Sequence, residues 1–428
     1  MTRLTRSLRG ILEAATSAPR RPRTALLAVV ASLALACDPT APQQIVITDE
    51  PTLPAWSSLS ANGSGACALT ADGEAFCWGR REPSQCGPIG CVIDVIPTRV
   101  ETVLRFTQIV LGAHERCAIT ASGDAYCWGS SINGATLGDG ATGASATPVR
   151  IPFNSPVRSI AAAYNHSCAV IEDGTAYCWG SGFDELGDGS SVISFRVITT
   201  PAPVVTTLKF RSISAGTTQT CAITVSREAY CWGSGYGTLG IGARDTACAS
   251  SPSCFIASTP QLVAGGLLWK AVHAGNAFTC GITVEDRGYC WGAVRLYGDP
   301  YPPTGVLGSG SFEGSKQPVG VAGGLPFRSI VTGVSWACGV TMDGDAYCWG
   351  SNEGAALGIG SSGGAYNAPQ RVLGNLRFES LAAGEVTCGA SVNHNLYCWG
   401  ITTDGLLGNG VAAPGYRAVP TRVSAPAP

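Results

Sequence analysis

The chain of 428 residues is predicted to be all-β and built from seven copies of one unit. Three observations lead there. Cys-Trp-Gly recurs at 77–79, 127–129, 178–180, 231–233, 290–292, 348–350 and 398–400, in steps of 50, 51, 53, 59, 58 and 50 residues. Each copy runs through short alternating segments bounded by glycine and polar turn residues, without helical periodicity. The composition, 45% hydrophobic and only 13% charged with 56 glycines, excludes a disordered polyelectrolyte. A formal net charge of -2 gives no footprint for nucleic acid or an anionic membrane surface as a partner.

The first 36 residues stand apart. Arg3, Arg6, Arg9, Arg20, Arg21 and Arg23 face one acid, Glu13, ahead of an uncharged run over 25–36 that stops at Cys37. As a helix that run reaches about 18 Å, short of the ~30 Å of a bilayer core. It fits the apolar region of an export signal better than a spanning helix. Ala34-Leu35-Ala36-Cys37 resembles the lipobox of bacterial lipoproteins, although leucine stands four residues before the cysteine (Leu33) instead of three. The resemblance implies a lipid on Cys37 and a place in a bacterial cell envelope, outside the cytoplasm. An ordinary signal peptide cut near Ala36 is the alternative. Residues 37–55 are polar and proline-rich, the composition of an extended tether, and residues 56–428 carry the repeats.

Within a unit the order is constant. A short apolar segment such as Phe327-Arg328-Ser329-Ile330 leads through a small-residue turn to a Cys-Ala-Ile-Thr type strand. A polar turn and Ala-Tyr-Cys-Trp-Gly follow. Then comes a loop with Leu-Gly-x-Gly, at Leu137, Leu186, Leu239, Leu307, Leu357 and Leu407 but missing from the first unit. A strand with proline and valine, as in Pro148-Val149, usually closes the unit.

The cysteines define geometry. Each Cys-Trp-Gly cysteine has a partner ten positions earlier: Cys67/Cys77, Cys117/Cys127, Cys168/Cys178, Cys221/Cys231, Cys280/Cys290, Cys338/Cys348 and Cys388/Cys398. A three-residue turn such as Ala71-Asp72-Gly73, with Gly73 left-handed, puts Cys67 directly opposite Cys77. The pair falls at a non-hydrogen-bonded site, about 4.5 Å between Cα atoms, where a disulfide fits. Gly123, Gly174 and Gly344 recur at the turn; Arg227, Asp286 and His394 replace glycine in the other units. Cys86 with Cys91 and Cys248 with Cys254 pair by proximity inside loops. Zinc ligation suits a ten-residue step and four scattered histidines poorly, and free thiols suit a cytosolic chain better than an exported one. Nineteen cysteines then divide into eighteen paired and Cys37.

Unit three reads Ser159-Ile-Ala-Ala-Ala-Tyr-Asn-His-Ser-Cys-Ala-Val, Asp173-Gly174, Ala176-Tyr-Cys-Trp-Gly180 and Leu186-Gly-Asp-Gly189. It resembles the repeat of the regulator of chromosome condensation family, and the resemblance extends over 56–428. It implies a seven-bladed β-propeller, and seven units of four short strands also suit closure into a ring. The paired cysteines look like the variant found in exported bacterial members. No eighth unit follows residues 420–423, so that strand is predicted to pair into the first unit and lock the ring. Residues 45–48 compete for the same place.

No catalytic constellation emerges. His114, His166, His273 and His394 lie in different units, and neither a nucleophile elbow, a zincin helix nor a phosphate loop is present. Turn chemistry accounts for Asp139 and Asp188. No cofactor and no metal are expected. Two positions before the first cysteine of each pair stand Gly65, Glu115, His166, Gln219, Phe278, Trp336 and Val386, a ring that differs in every unit. Trp336, Phe278, Glu115 and Gln219 are therefore candidate binding residues, with the aromatics as anchors and packing under neighbouring loops as the alternative. Phe183, Tyr236, Tyr297 and Tyr301 in the loops after Cys-Trp-Gly form a second set, from which Tyr236 and Tyr297 are taken as candidates. The expected activity is non-enzymatic binding of a protein partner by a membrane-tethered monomer. A carbohydrate or cell-wall glycan is the alternative ligand. Known members of the family include a nucleotide exchange factor and a secreted β-lactamase inhibitor.

Overall fold

The computed structural model describes residues 45–50, 54–63, 65–80, 93–129, 137–190, 196–235, 237–242, 255–293 and 304–426. They form seven four-stranded antiparallel sheets, each a simple meander of consecutive strands. In the first, β1 (Trp56–Asn62), β2 (Gly65–Thr70), β3 (Ala75–Arg80) and β4 (Ile93–Arg99) lie in that order. The first strands of all seven sheets line one central channel of about 610 Å³. The sheets are the blades of a seven-bladed propeller, with β1 and its equivalents innermost. Among the described residues no helix is long and apolar enough to cross a membrane.

Burial explains the sequence pattern of each strand. The second strand is covered on both faces by neighbouring blades, so Gly65–Thr70, His166–Ile171 and Trp336–Thr341 are buried at every position. Fourth strands sit at the rim and alternate between partly buried and exposed, as in Arg196–Pro203. Phe106, Phe210, Trp269, Phe327 and Phe378 open the first strands and are buried. Each packs on the Cys-Trp-Gly indole of its own blade.

The hairpins follow the expected register. Cys67 lies opposite Cys77, and Gly73 N–H donates to the Thr70 carbonyl (2.9 Å) to close the turn. The same opposition holds for Cys117 with Cys127, Cys168 with Cys178, Cys221 with Cys231, Cys280 with Cys290, Cys338 with Cys348 and Cys388 with Cys398. All seven pairs are disulfides. Their spacing corrects the expectation: the Cα atoms are 4.0–4.1 Å apart. An unbridged pair at such a site stands at ~4.5 Å, and the covalent link draws the two strands together.

Arg227, Asp286 and His394 take up the left-handed turn conformation at φ 71°, 64° and 61°. The fold therefore imposes this backbone even on side chains that pay about 1–2 kcal/mol for it. The glycine of Cys-Trp-Gly is obligatory: Gly129 has φ 122°, and a Cβ there would sit 2.4 Å from the His114 carbonyl oxygen.

Ring closure corrects a second expectation. Residues 420–423 do not join the first blade. Tyr416–Arg422 is the outer strand of its own blade, with Tyr397 opposite Arg422 and Cys398 opposite Thr421. Residues 45–48 do not join the first blade either; Val46 bridges to Gly374. The last blade meets the first through the loop that carries Leu-Gly-x-Gly, as every engaged seam does. Trp78 Nε1 donates to the Leu406 carbonyl (3.1 Å), Leu407 is fully buried, and Gly410 N–H donates to the Val95 carbonyl (2.8 Å). The same indole bond joins Trp232 to Glu185, Trp291 to Thr238, Trp349 to Val306 and Trp399 to Ala356, at 2.9–3.0 Å. The glycine bond recurs from Gly140, Gly189, Gly242, Gly310 and Gly360 to the outer strand of the next blade. Leu-Gly-x-Gly is thus the clasp between blades.

Candidate functional site

A meander sheet sends its turns alternately to its two ends. One end of the ring carries the disulfide hairpin turns and the blade-to-blade connections. The other carries the turns between first and second strands, which rim the channel, and the long connections between third and fourth strands. Functional side chains on rigid scaffolds concentrate on such irregular connections.

The predicted ring of seven variable positions is not at that rim. Each is the first residue of a second strand, opposite the glycine of Cys-Trp-Gly, as with Glu115 and Gly129. That position aims the side chain at the neighbouring blade. Glu115 Oε1 accepts from Ser167 Oγ (3.0 Å), and His166 Nε2 pairs with Thr220 Oγ1 (2.8 Å). Gln219 Nε2 donates to the Gly275 carbonyl (3.1 Å), and Trp336 Nε1 donates to Thr387 Oγ1 (3.0 Å). Phe278 and Val386 complete the ring by packing. Trp336 is 5% exposed and the other side-chain-bearing members less, so the ring joins blades in this structure and meets no solvent. Burial alone pulls the His166 pKa down to about 4, so its imidazole is neutral near pH 7.

Apart from Cys77, which is partly exposed, the hairpin cysteines are buried out of reach of a ligand. Cys127, Cys178, Cys231, Cys290 and Cys348 are fully buried, as are their partners Cys117, Cys168, Cys221, Cys280 and Cys338. Each of the five packs in an apolar cluster, Cys127 beside Ile119, Cys178 and Cys231 with Trp232, Cys290 with Phe278, and Cys348 with Trp336. Their role is to staple the second and third strands from inside the blade. Cys37, Cys86, Cys91, Cys248, Cys254, Tyr236, Tyr297 and Tyr301 lie outside the described residues.

What reaches solvent at the channel mouth is the turn just before the variable ring. Its tip residues are Gly63, Ala113, Tyr164, Thr217, Asn276, Val334 and Glu385, one from each blade. Tyr164 is 50% exposed and packs edge-on against His114 of the adjacent blade, ring centroids 5.5 Å apart. Val334 is 45% exposed. Desolvation raises the Glu385 carboxyl above its ordinary range, opposed by Arg80. Further out, Phe183 is 39% exposed, and its N–H donates to the nearly buried Glu185 carboxylate (3.1 Å). Variation one or two residues further along masks this rim in the sequence. The signal is present all the same: a small residue followed by one that changes from unit to unit.

Among the described residues no group of three or more His, Cys, Asp or Glu side chains could hold a metal ion. The histidines sit apart: His166 and His273 in polar bonds to threonines of the next blade, His114 at the rim and His394 in a hairpin turn.

Two models described as the regulator of chromosome condensation (RCC1) repeat match residues 122–170 and 157–184. The human E3 ubiquitin-protein ligase HERC2 is 30% identical over 207 residues, 46% of this chain and 4% of that protein. The ultraviolet-B receptor UVR8 of Arabidopsis thaliana is 28% identical over 206 residues, 47% of this chain and 43% of that protein. The chain thus spans less than half the length of these curated relatives. Among solved structures, Prp20p from Saccharomyces cerevisiae superposes with a TM-score of 0.61 at 18% identity, covering 76% of this chain and 80% of that one. Human WBSCR16 superposes with a TM-score of 0.63 at 16% identity, covering 80% and 87%. At these identities the likeness shows the fold. The chain is therefore a seven-bladed β-propeller in which residues 122–184 match the regulator of chromosome condensation (RCC1) repeat and whose fold is similar to that of Prp20p.

Proposed function

We propose that the chain is a non-enzymatic binding propeller, held by a lipid on Cys37 at a bacterial cell envelope and facing out of the cytoplasm. Its loop-bearing end grips a protein partner there. The observation that carries this reading is a contrast within the ring. Cys-Trp-Gly and the disulfides repeat in all seven blades, whereas the exposed rim tips differ in every one. A symmetric scaffold with an asymmetric mouth suits one oriented macromolecule, and aromatic and aliphatic tips such as Tyr164 and Val334 suit an interface centre. Seven disulfides favour an oxidising compartment. Related folds bind proteins: Prp20p is described with binding to Gsp1p and histones, and yeast RCC1 with Kap60. Fold alone does not decide function.

A glycan is the second reading, favoured by Tyr164, an exposed aromatic that could stack on a sugar ring at the channel mouth. Capture from envelope extract, in parallel with a cell-wall glycan array, separates the two. The expected result is one protein retained by the wild-type chain and lost on Tyr164→Arg, with no glycan signal. Glycan binding without a captured protein would replace the first reading with the second.

A further inference from the structure

Blade seven differs from its neighbours at the hairpin-turn end. In blades one, two and six, the residue after the turn is an acid that pairs with an arginine of the fourth strand. These pairs are Glu74–Arg99 (2.7 Å), Asp124–Arg150 (2.6 Å) and Asp345–Arg371 (2.6 Å). Blade seven keeps the arginine, Arg422, but has Asn395 in place of the acid. The carboxylate comes from outside the repeat. Asp49 Oδ1 accepts from Asn395 Nδ2 (2.6 Å), Ser391 Oγ (3.0 Å) and Tyr397 OH (3.0 Å).

The backbone around Asp49 is held just as closely. Asn393 Nδ2 donates to the Asp49 carbonyl (2.7 Å), and the Glu50 carbonyl accepts from Asn395 Nδ2 (2.8 Å) and an Arg422 guanidinium nitrogen (2.7 Å). Upstream, Val46 forms a parallel bridge with Gly374, Ile47 N–H donates to the Gly374 carbonyl (3.0 Å), and Ile47 packs against the core around Leu376 and Phe378. Tyr397 is fully buried here, whereas its equivalents Tyr126, Tyr177 and Tyr347 are partly exposed. Four donor side chains and an arginine facing one short extended segment make a built peptide site, with a hydrophobic step for Ile47 and a carboxylate socket for Asp49.

We propose that the hairpin-turn end of blade seven is a docking site for an extended hydrophobic-x-Asp peptide, occupied by the chain's own residues 45–50. Docking holds residues 45–50 at the hairpin-turn end of the ring. The site stands on contacts within the propeller and does not depend on lipidation or on the partner.

The test is amide hydrogen exchange on the whole chain in solution, read at Ile47 and at the core strands. Asp49→Ala removes the carboxylate. Asn395→Asp makes blade seven resemble blade six and repels Asp49, while offering Arg422 an acid of its own. Both variants are expected to speed exchange at Ile47 by about tenfold or more while the second strands stay protected. Wild-type exchange at the rate of an unstructured amide, or equal protection of Ile47 in wild type and both variants, would overturn the proposal. If one variant loses protection throughout the core, the other decides.

Discussion

Two seams of the ring show what holds it closed. Between blades seven and one, the Trp78 indole bonds the Leu406 carbonyl, Leu407 fills the interface, and Gly410 ties the loop to the Val95 carbonyl. Between blades one and two, Leu-Gly-x-Gly is missing, and no carbonyl among the described residues accepts from Trp128. Its indole lies flat on Phe106, with an interplanar angle of 21°, against 41–59° where the indole is engaged in blades four to seven. The seam relies instead on Leu69, Ile109 and Leu111 packing with Trp128, and on Ser60 Oγ accepting from Leu111 N–H (3.0 Å). The seam between blades seven and one is clasped as fully as the other engaged seams, and the first internal seam shows no such clasp among the described residues.

The largest expected effect tests closure itself. Trp78→Ala empties a buried indole site and orphans the Leu406 carbonyl, and should lower stability by about 3–5 kcal/mol in denaturant melts. A Trp78→Ala chain that melts like wild type would break the claim that side-chain docking closes the ring. Acid should act at a different seam. His166 bridges blades three and four, and its folded pKa of about 4 lies below the unfolded value of 6.5. Above pH 6.5 the folded and unfolded chains are both neutral there. As pH falls towards 4 the unfolded chain takes up the proton and the folded one does not. This group therefore removes about 3 kcal/mol across that window. His166→Gln, which borrows the residue of blade four, should flatten the curve, and an unchanged slope would assign acid sensitivity elsewhere. The smallest effect is the sharpest comparison. Trp78→Phe should cost about 1–2 kcal/mol more than Trp128→Phe, because only the first leaves a buried carbonyl without its donor. Equal losses would mean that the clasp contributes by packing alone.

The blade is largely legible in the sequence, and the ring less so. A ten-residue cysteine step inside a hairpin leaves one register, so Cys67/Cys77 and its six equivalents can be placed without coordinates. Closure is harder because a cyclic array has no intrinsic starting strand. Residues 420–423 read equally well as the end of one unit or the start of the next, and only the pairing of Tyr397 with Arg422 decides. The candidate site is misplaced in the sequence for a related reason. Variation at Glu115, Gln219 and Trp336 reflects different solutions to one buried contact between blades, which in sequence looks the same as variation at an exposed surface. Tyr164 stands two residues before His166, yet it is the one that reaches water. Nothing in the sequence marks Asp49, since its role depends on an asparagine more than 340 residues away.

The clasp at Trp78 also bears on how the molecule is made. Each of the seven hairpin disulfides closes a loop of ten residues' separation, so each blade can oxidise as soon as its own hairpin is made. The partner of Trp78 lies 328 residues downstream, in the seventh blade. Until then the nascent protein is an open arc of finished blades with the indole of blade one uncovered. Its period of exposure to aggregation and proteolysis is set by synthesis of the whole repeat array, and not by the folding of any single blade.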